Sequence, residues 1–195
     1  MILGITGNIA SGKSTVSSIF KDLGFKLYDA DKIAKEILNK KETIKKITEK
    51  FPKEIIGNDG YVNKIKMKEL IFKSDEYRNL LNSIIHPLVF EFYKNIKNEN
   101  IKNENIIFDI PLLYETNMQT LCDKVVLVVS DYNLKIERIS KRDNISKNLA
   151  KKIIESQMDD EAKMRKADYV IFNNGSYEKL KEKTLEIYME ISKWK

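Results

Sequence analysis

The sequence predicts an α/β fold in three layers, with helices on both faces of a parallel five-stranded sheet. Short apolar runs of strand length alternate with longer amphipathic segments, which implies parallel strands joined by right-handed helical crossovers. The apolar runs are continuous rather than alternating, as in Val125-Val126-Leu127-Val128-Val129, and such runs suit strands covered on both faces. A helix-rich excess over residues 41–98 predicts a lobe inserted beside the sheet.

Taken in order, Ile2–Thr6 reads as a buried strand ending at a glycine. The following helix runs from about Lys13 to Leu23, with Val16, Ile19, Phe20 and Leu23 on one face and Gly24 at the C′ position. Phe25–Tyr28 is the second strand. Asp31 opens a helix through Leu38 that carries Ile33 and Ile37. Residues 41–98 read as helix throughout, broken at the turn Asn58-Asp59-Gly60. Pro87 suits the first turn of a new helix there. The polar stretch Lys97–Asn105 reads as a surface loop. Strands follow at Ile106–Ile110, stopped by Pro111, and at Lys124–Val129. Residues 133–166 return to helix, Tyr169–Phe172 is the last strand, and Asn173-Asn174-Gly175 is a turn before a final helix from about Tyr177.

A chain of 195 residues suits one domain, 1–195, with a real core. No stretch approaches the roughly 18 apolar residues of a membrane span, and Met1–Ile5 lacks the charged and apolar regions of a signal peptide. The single cysteine, Cys122, has no internal disulfide partner, so a reducing, cytoplasmic setting is expected. The net charge of +6 is carried almost wholly by dispersed lysines. No clustered basic face is seen, so neither a nucleic-acid partner nor a membrane partner is expected. Arginine occurs at 78, 138, 142 and 165 alone. Those few are the better candidates for bidentate phosphate contacts.

Residues 7–15, Gly7-Asn8-Ile9-Ala10-Ser11-Gly12-Lys13-Ser14-Thr15, match the P-loop pattern, with a strand before and a helix after. The glycines permit torsions that a Cβ forbids. The loop's N–H groups then form an anion nest at a helix N-terminus. Lys13 reaches the β/γ-phosphates, and the Ser14 hydroxyl suits Mg²⁺. The motif signals nucleotide binding without separating a kinase from a GTPase or an ATPase.

Carboxylates follow two of the strands, at Asp29 and Asp31 and at Asp109. Ligands of open parallel sheets bind beyond the strands' carboxyl ends, so one acid is expected to assist Mg²⁺ and one to orient an attacking hydroxyl. Two plainer readings stand beside these: Asp31 as a helix N-cap and Asp109 as a turn residue before Pro111. A GTPase would carry an Asn-Lys-x-Asp base-reading motif, but Asn39-Lys40-Lys41-Glu42 ends in the wrong acid. A small P-loop kinase, with core, acceptor lobe and arginine-bearing lid, fits the chain length.

An ordered set of motifs resembles the dephospho-CoA kinase family over nearly the whole chain. Thr6 to Thr15 is close to its TGGIGSGKST, and Asp29-Ala30-Asp31 with Ile33-Ala34 to its DAD-x-IA. Ile84-Ile85-His86-Pro87-Leu88-Val89 is similar to its HP segment, and Asp109-Ile110-Pro111-Leu112-Leu113-Tyr114-Glu115 to its D-x-PLLFE. Arg138 and Arg142-Asp143 match its lid region, Gln157 the glutamine after it, and Ala167 to Gly175 its closing AD-x-VI-x-N-x-G. Asn8 and Ala10 stand where the family often has glycine. Lysines at 151 and 152 stand near a position where it can carry arginine, which leaves the number of lid cations open. Tyr114 replaces a phenylalanine.

The resemblance implies a three-layer P-loop kinase fold with a helical acceptor lobe over 41–98 and a lid at 138–157. It implies transfer of the γ-phosphoryl of ATP, with Mg²⁺, to the ribose 3′-hydroxyl of dephospho-CoA, with ATP and dephospho-CoA as the ligands. Asp31, Lys13 and Arg142 are then the catalytic candidates. Gly7, Ala10, Ser11, Gly12, Lys13, Ser14, Thr15, Arg138 and Arg142 are the ATP-binding candidates. Asp31, His86, Asp109, Pro111, Leu112 and Leu113 are the acceptor-binding candidates, and Ser14 is the Mg²⁺ ligand, with Asp109 as a second. His86, the one histidine, also reads as structural, Asp143 as an ion-pair partner of Arg142, and Trp194 as packing for the last helix or as surface. A nucleoside monophosphate kinase is the alternative function and a nucleotide-dependent switch a weaker one. Oligomeric state is left open, with a monomer as one possibility.

Overall fold

The computed structural model describes residues 1–99 and 104–193. Trp194 and part of the expected 97–105 loop lie outside the described residues. The five expected strands form one parallel sheet in the order β2-β3-β1-β4-β5: β1 Ile2–Thr6, β2 Lys26–Asp29, β3 Ile106–Asp109, β4 Lys124–Val129 and β5 Tyr169–Phe172. The central strand β1 pairs Ile5 with Asp109 of β3 and Thr6 with Leu127 of β4. Its carboxyl end therefore emerges between those two neighbours, where open sheets bind ligands.

The described residues cluster into two compact units. One comprises Met1–Asp29 with the described part of 100–195, and the other is Ala30–Glu99. The first unit contains the sheet. Leu3, Ile5, Ile107, Val126 and Val128 of the sheet bury themselves with Val16 and Phe20 of helix α1 (Lys13–Asp22) and Leu180 and Ile191 of a C-terminal helix over Tyr177–Ser192. Helix α1 stops as its sequence predicts. Gly24 is left-handed at φ 93°, its N–H donates to Lys21 O, and Phe25 N–H donates to Phe20 O. The rings of Phe20 and Phe25 meet edge to face at 5.3 Å, which completes a Schellman C-terminus.

The Ala30–Glu99 unit is helical but not wholly so. Helices α2 (Ala30–Leu38), α3 (Lys41–Lys50), α4 (Lys64–Lys73) and α5 (Asp75–Glu99) are interrupted over 51–63 by a short 3₁₀ turn at Lys53–Ile55 and an Ile56–Val62 bridge. The bridge closes on the expected Asn58-Asp59-Gly60 turn: Gly57 N–H donates to Tyr61 O, and Gly60 has φ 78°. Within this unit α5 packs against α2, α3 and α4.

Pro87 does not open a helix; it lies in the interior of the 25-residue α5. Proline costs a helix one N–H bond and a clash with the preceding turn, yet tertiary packing carries α5 through it. Lys97–Glu99, expected as loop, are its last turn. The stretch 133–166 is likewise three helices: α6 (Tyr132–Asp143), α7 (Lys147–Glu155) and α8 (Asp160–Met164). Asn144 at φ 51° turns the chain between α6 and α7, and Ser146 caps α7 by accepting from Leu149 N–H. The C-terminal helix is α9.

Candidate active site

Residues 7–12 leave β1 and enter α1 through an unusual backbone. Gly12 has φ 95°, and Ala10, a residue with a Cβ, holds φ 61°. A Cβ on Gly7 would collide with the Val128 carbonyl oxygen and with Ser11 Oγ, and one on Gly12 with the Asn173 amide. Both glycines are thus required by close approach. Ser11 is buried, and its Oγ has no hydrogen-bond partner. Buried polar groups are usually satisfied, so an orphan hydroxyl in a glycine cradle at a helix N-terminus fits an absent anionic ligand. Ser14 is exposed and Thr15 half-buried in the first turn of α1, and Thr15 N–H donates to Gly12 O at 3.0 Å.

Lys13 is held in this unit by the buried Asp109, whose Oδ1 accepts from Lys13 Nζ. Asp109 ends β3 beside β1 and is in register with Asp29 of β2. Two of the acids read from the sequence therefore end adjacent strands, and one of them places the phosphate-seeking lysine. The chain after Asp109 stays close to the loop: Thr6 Oγ1 donates to Pro111 O at 3.1 Å. Leu112 is partly exposed, at 37%. Leu113, expected to bind the acceptor, is wholly buried against the sheet near Gly4.

Neither arginine expected in the lid projects an unused fork. Arg138 Nη1 donates to Ala10 O at 3.1 Å and to Ser130 Oγ at 3.0 Å, and its Nη2 to Asn173 O at 3.1 Å. It thus meets the P-loop at a carbonyl. Arg142 grips the adjacent Asp143 with Nε and Nη2, both at 2.8 Å, and this bond raises its pKa above the ordinary arginine value. Helices α6 and α7 carry a small apolar cluster, Ile136, Ile139, Ala150 and Ile154, on which Ile9 and Ala10 of the P-loop pack.

Several contacts with the loop had no signal in the sequence. Asn173 Nδ2 donates to Ser11 O at 2.8 Å, although Asn173 reads as a turn residue. The buried Lys163 bonds both Asn8 Oδ1 and Glu115 at 2.8 Å; one lysine among 35 basic residues has no distinguishing spacing. Gln157, matched by resemblance alone, accepts the Ile9 N–H at 2.8 Å. Tyr114, between these groups in sequence, has its phenol pushed up to about 12 by burial first, then by Asp168 and Cys122.

In the other unit, Asp31 lies exposed in the first turn of α2, one residue inside the helix rather than opening it. There its charge is favoured by the helix dipole. His86 is half-buried in mid-α5, and burial lowers its pKa. Among the described residues, no helix is long and apolar enough to cross a membrane.

A family model for dephospho-CoA kinase matches residues 1–179. The chain is 48% identical over 183 residues to a dephospho-CoA kinase of Fusobacterium nucleatum, covering 94% of each chain. It is 39% identical to one of Listeria monocytogenes, covering 94% of this chain and 93% of that one. Among solved structures, it resembles a dephospho-CoA kinase from Campylobacter jejuni with TM-score 0.75, 30% identity and coverage of 98% and 97%. A shikimate kinase from Acinetobacter baumannii, 14% identical with TM-score 0.58 over 100% of this chain and 94% of that one, shares the fold. The chain belongs to the dephospho-CoA kinase family.

Proposed function

We propose that this chain transfers the γ-phosphoryl group of ATP to the ribose 3′-hydroxyl of dephospho-CoA, giving coenzyme A and ADP, the last step of coenzyme A synthesis. The observation that carries this reading is the family match over residues 1–179, which spans both the P-loop and the HP and D-x-PLL segments. The cradle supports the donor half. It has a strained loop, an orphan Ser11 hydroxyl and a lysine preset by Asp109.

In this mechanism the N–H groups of the loop and of the first turn of α1 hold the phosphates, and Lys13 moves from Asp109 onto the β/γ-oxygens. Kinases hold Mg²⁺ through one or two protein oxygens and the substrate phosphates; Ser14, exposed at the N-terminus of α1, and Asp109 fit that donor set. When bound, the ion neutralises charge on the β- and γ-oxygens. Asp31 accepts the proton of the 3′-hydroxyl as its oxygen attacks the γ-phosphorus and ADP leaves. His86, Pro111 and Leu112 contribute to acceptor binding. Arg142, on exchanging Asp143 for the transferring group, stabilises charge on the equatorial oxygens, and Arg138 fixes the loop beside it. Segment 138–157 closes on the bound substrates and excludes water, which would otherwise take the phosphoryl group. We place this reaction in the cytoplasm, within one P-loop kinase domain whose 41–98 lobe receives the acceptor.

The test is a panel: MgATP with dephospho-CoA, AMP, CMP or UMP, with products read by mass spectrometry. Coenzyme A should form with the first acceptor, and the three monophosphates should be returned unchanged. Phosphorylation of a monophosphate instead would favour a nucleoside monophosphate kinase. Asp31→Asn should bind MgATP normally and lose about 100-fold or more in kcat; near-normal turnover would make Asp31 a helix-terminal charge alone. Protection of 138–157 from limited proteolysis by ATP plus dephospho-CoA checks lid closure.

A further inference from the structure

We propose that Lys163 is a positioning residue for phosphoryl transfer, joining the outer limb of the P-loop to the segment that follows β3. Its side chain is wholly buried. A buried cation is costly unless it is paired and hydrogen-bonded, and both partners of Lys163 are at 2.8 Å: Asn8 Oδ1 and Glu115 Oε1. These partners are separated by 107 positions of sequence and belong to the two segments that flank the carboxyl end of the sheet's centre.

The contact completes a ring. At the far end of the P-loop, Lys13 is tied to Asp109; at its start, Thr6 is tied to Pro111 O; in between, Asn8 is tied through Lys163 to Glu115. The P-loop and the last residue of β1 before it are therefore held at three points to the single stretch 109–115. The outer limb has further ties on its other side. Asn8 Nδ2 donates to Met158 O at 3.0 Å, Ile9 N–H to Gln157 Oε1, and Arg138 to Ala10 O. Asn8 is the pivot, because its amide spends one end on Met158 and the other on Lys163. A glycine at this position would have no such side chain. An apolar residue at 163 would leave the Asn8 oxygen and the Glu115 carboxylate without this donor.

Phosphoryl transfer is mostly positioning, and misplacement by about 1 Å costs on the order of 100-fold. Among the described residues the polar partners of the Lys163 side chain are Asn8 and Glu115, not Ser11 or the first turn of α1, so its loss should disturb alignment more than phosphate binding. The kinetic part of this proposal rests on the dephospho-CoA kinase reading; the placement of the loop does not.

The experiment compares Lys163→Met, Lys163→Arg and Asn8→Gly with the unaltered chain. It measures kcat and KM for both substrates, MgATP affinity by calorimetry, and hydrogen exchange across the molecule. Lys163→Met should lose about 10- to 100-fold in kcat while MgATP affinity changes by no more than about threefold. Amides of 7–12 should exchange faster, with β5 and α9 unchanged. Lys163→Arg, which keeps the charge and the donors, should recover most of the lost kcat. A folded Lys163→Met with kcat within twofold of the unaltered chain, or with exchange raised equally everywhere, overturns the proposal. Should Lys163→Met not fold, Asn8→Gly cuts the same joint: reduced kcat at unchanged MgATP affinity supports the proposal and unchanged kcat overturns it. If the unaltered chain makes no coenzyme A, the substrate reading fails, and the exchange pattern alone decides the role of Lys163.

Discussion

Residues 7–15 and residues 84–89 both carry family motifs, and they are built in opposite ways. The first stretch departs from regular structure. Ala10 and Gly12 are left-handed, two glycines sit where no Cβ fits, and side chains from 109, 138, 157, 163 and 173 reach in to hold it. The second stretch is the middle of an unbroken 25-residue helix in which Ile84, Ile85 and Val89 are buried and Pro87 is exposed. The contrast teaches that a motif is legible to the degree that its job needs backbone a regular element cannot supply. GNIASGKST announces its conformation. His86-Pro87 announces a break that does not occur.

The largest expected effect is at Lys13. Lys13→Met removes the cation that addresses the phosphates and leaves the buried Asp109 without that partner. We expect kcat to fall by at least about 100- to 1000-fold and the melting temperature to drop as well. Adding Asp109→Asn should restore much of the stability but none of the activity, which separates the lysine's catalytic work from its structural pairing. Recovery of activity in the double variant would mean that Lys13 serves mainly to neutralise Asp109.

Next is Gly7. Its Cβ would fall on backbone at Val128, which does not yield as a flexible side-chain tip would. Gly7→Ala should cost about 1–3 kcal/mol, or a few degrees in melting temperature for each kcal/mol. No loss of stability would mean that the loop and the end of β4 are less tightly apposed than the contrast requires. Pro87→Ala probes the other side of the contrast with the opposite sign. Alanine restores the missing helix bond in mid-α5, so the chain should gain about 1 kcal/mol in denaturant unfolding. A loss instead would show that Pro87 is fitted to its surroundings rather than tolerated by them.

The sheet was readable strand by strand because Ile2–Thr6 and Val125–Val129 need continuous apolar faces, and the Schellman end of α1 was readable because Gly24 needs a left-handed backbone. The conformation of the P-loop was readable for the same reason. Its supports were not. Lys163, Asn173 and Glu115 act through contacts across 43 to 162 positions, and no local spacing encodes such a contact. Arg138 was legible as a cation of the lid, but not as one whose fork is turned onto Ala10 and Asn173 carbonyls. Leu113, read from its motif as an acceptor contact, is wholly buried, and its burial has no local signature.

The smallest effect concerns His86 and tests whether the helical stretch is electrostatically inert. Burial disfavours the imidazolium, so the folded-state pKa lies below the ordinary value of 6.5. The folded chain then binds fewer protons than the unfolded one near that value. The stability His86 contributes is complete above about pH 6.5 and is lost as pH falls from there through the folded-state value. Because this is the one histidine, subtraction isolates it. The melting temperature of the unaltered chain minus that of His86→Gln should be constant from pH 8 to 7 and should decrease between pH 6.5 and 5.5. A difference that grows on acidification would mean that the imidazolium is stabilised by a partner in the folded chain. His86 would then be a charged side chain paired within the folded chain rather than a half-buried neutral side chain of α5.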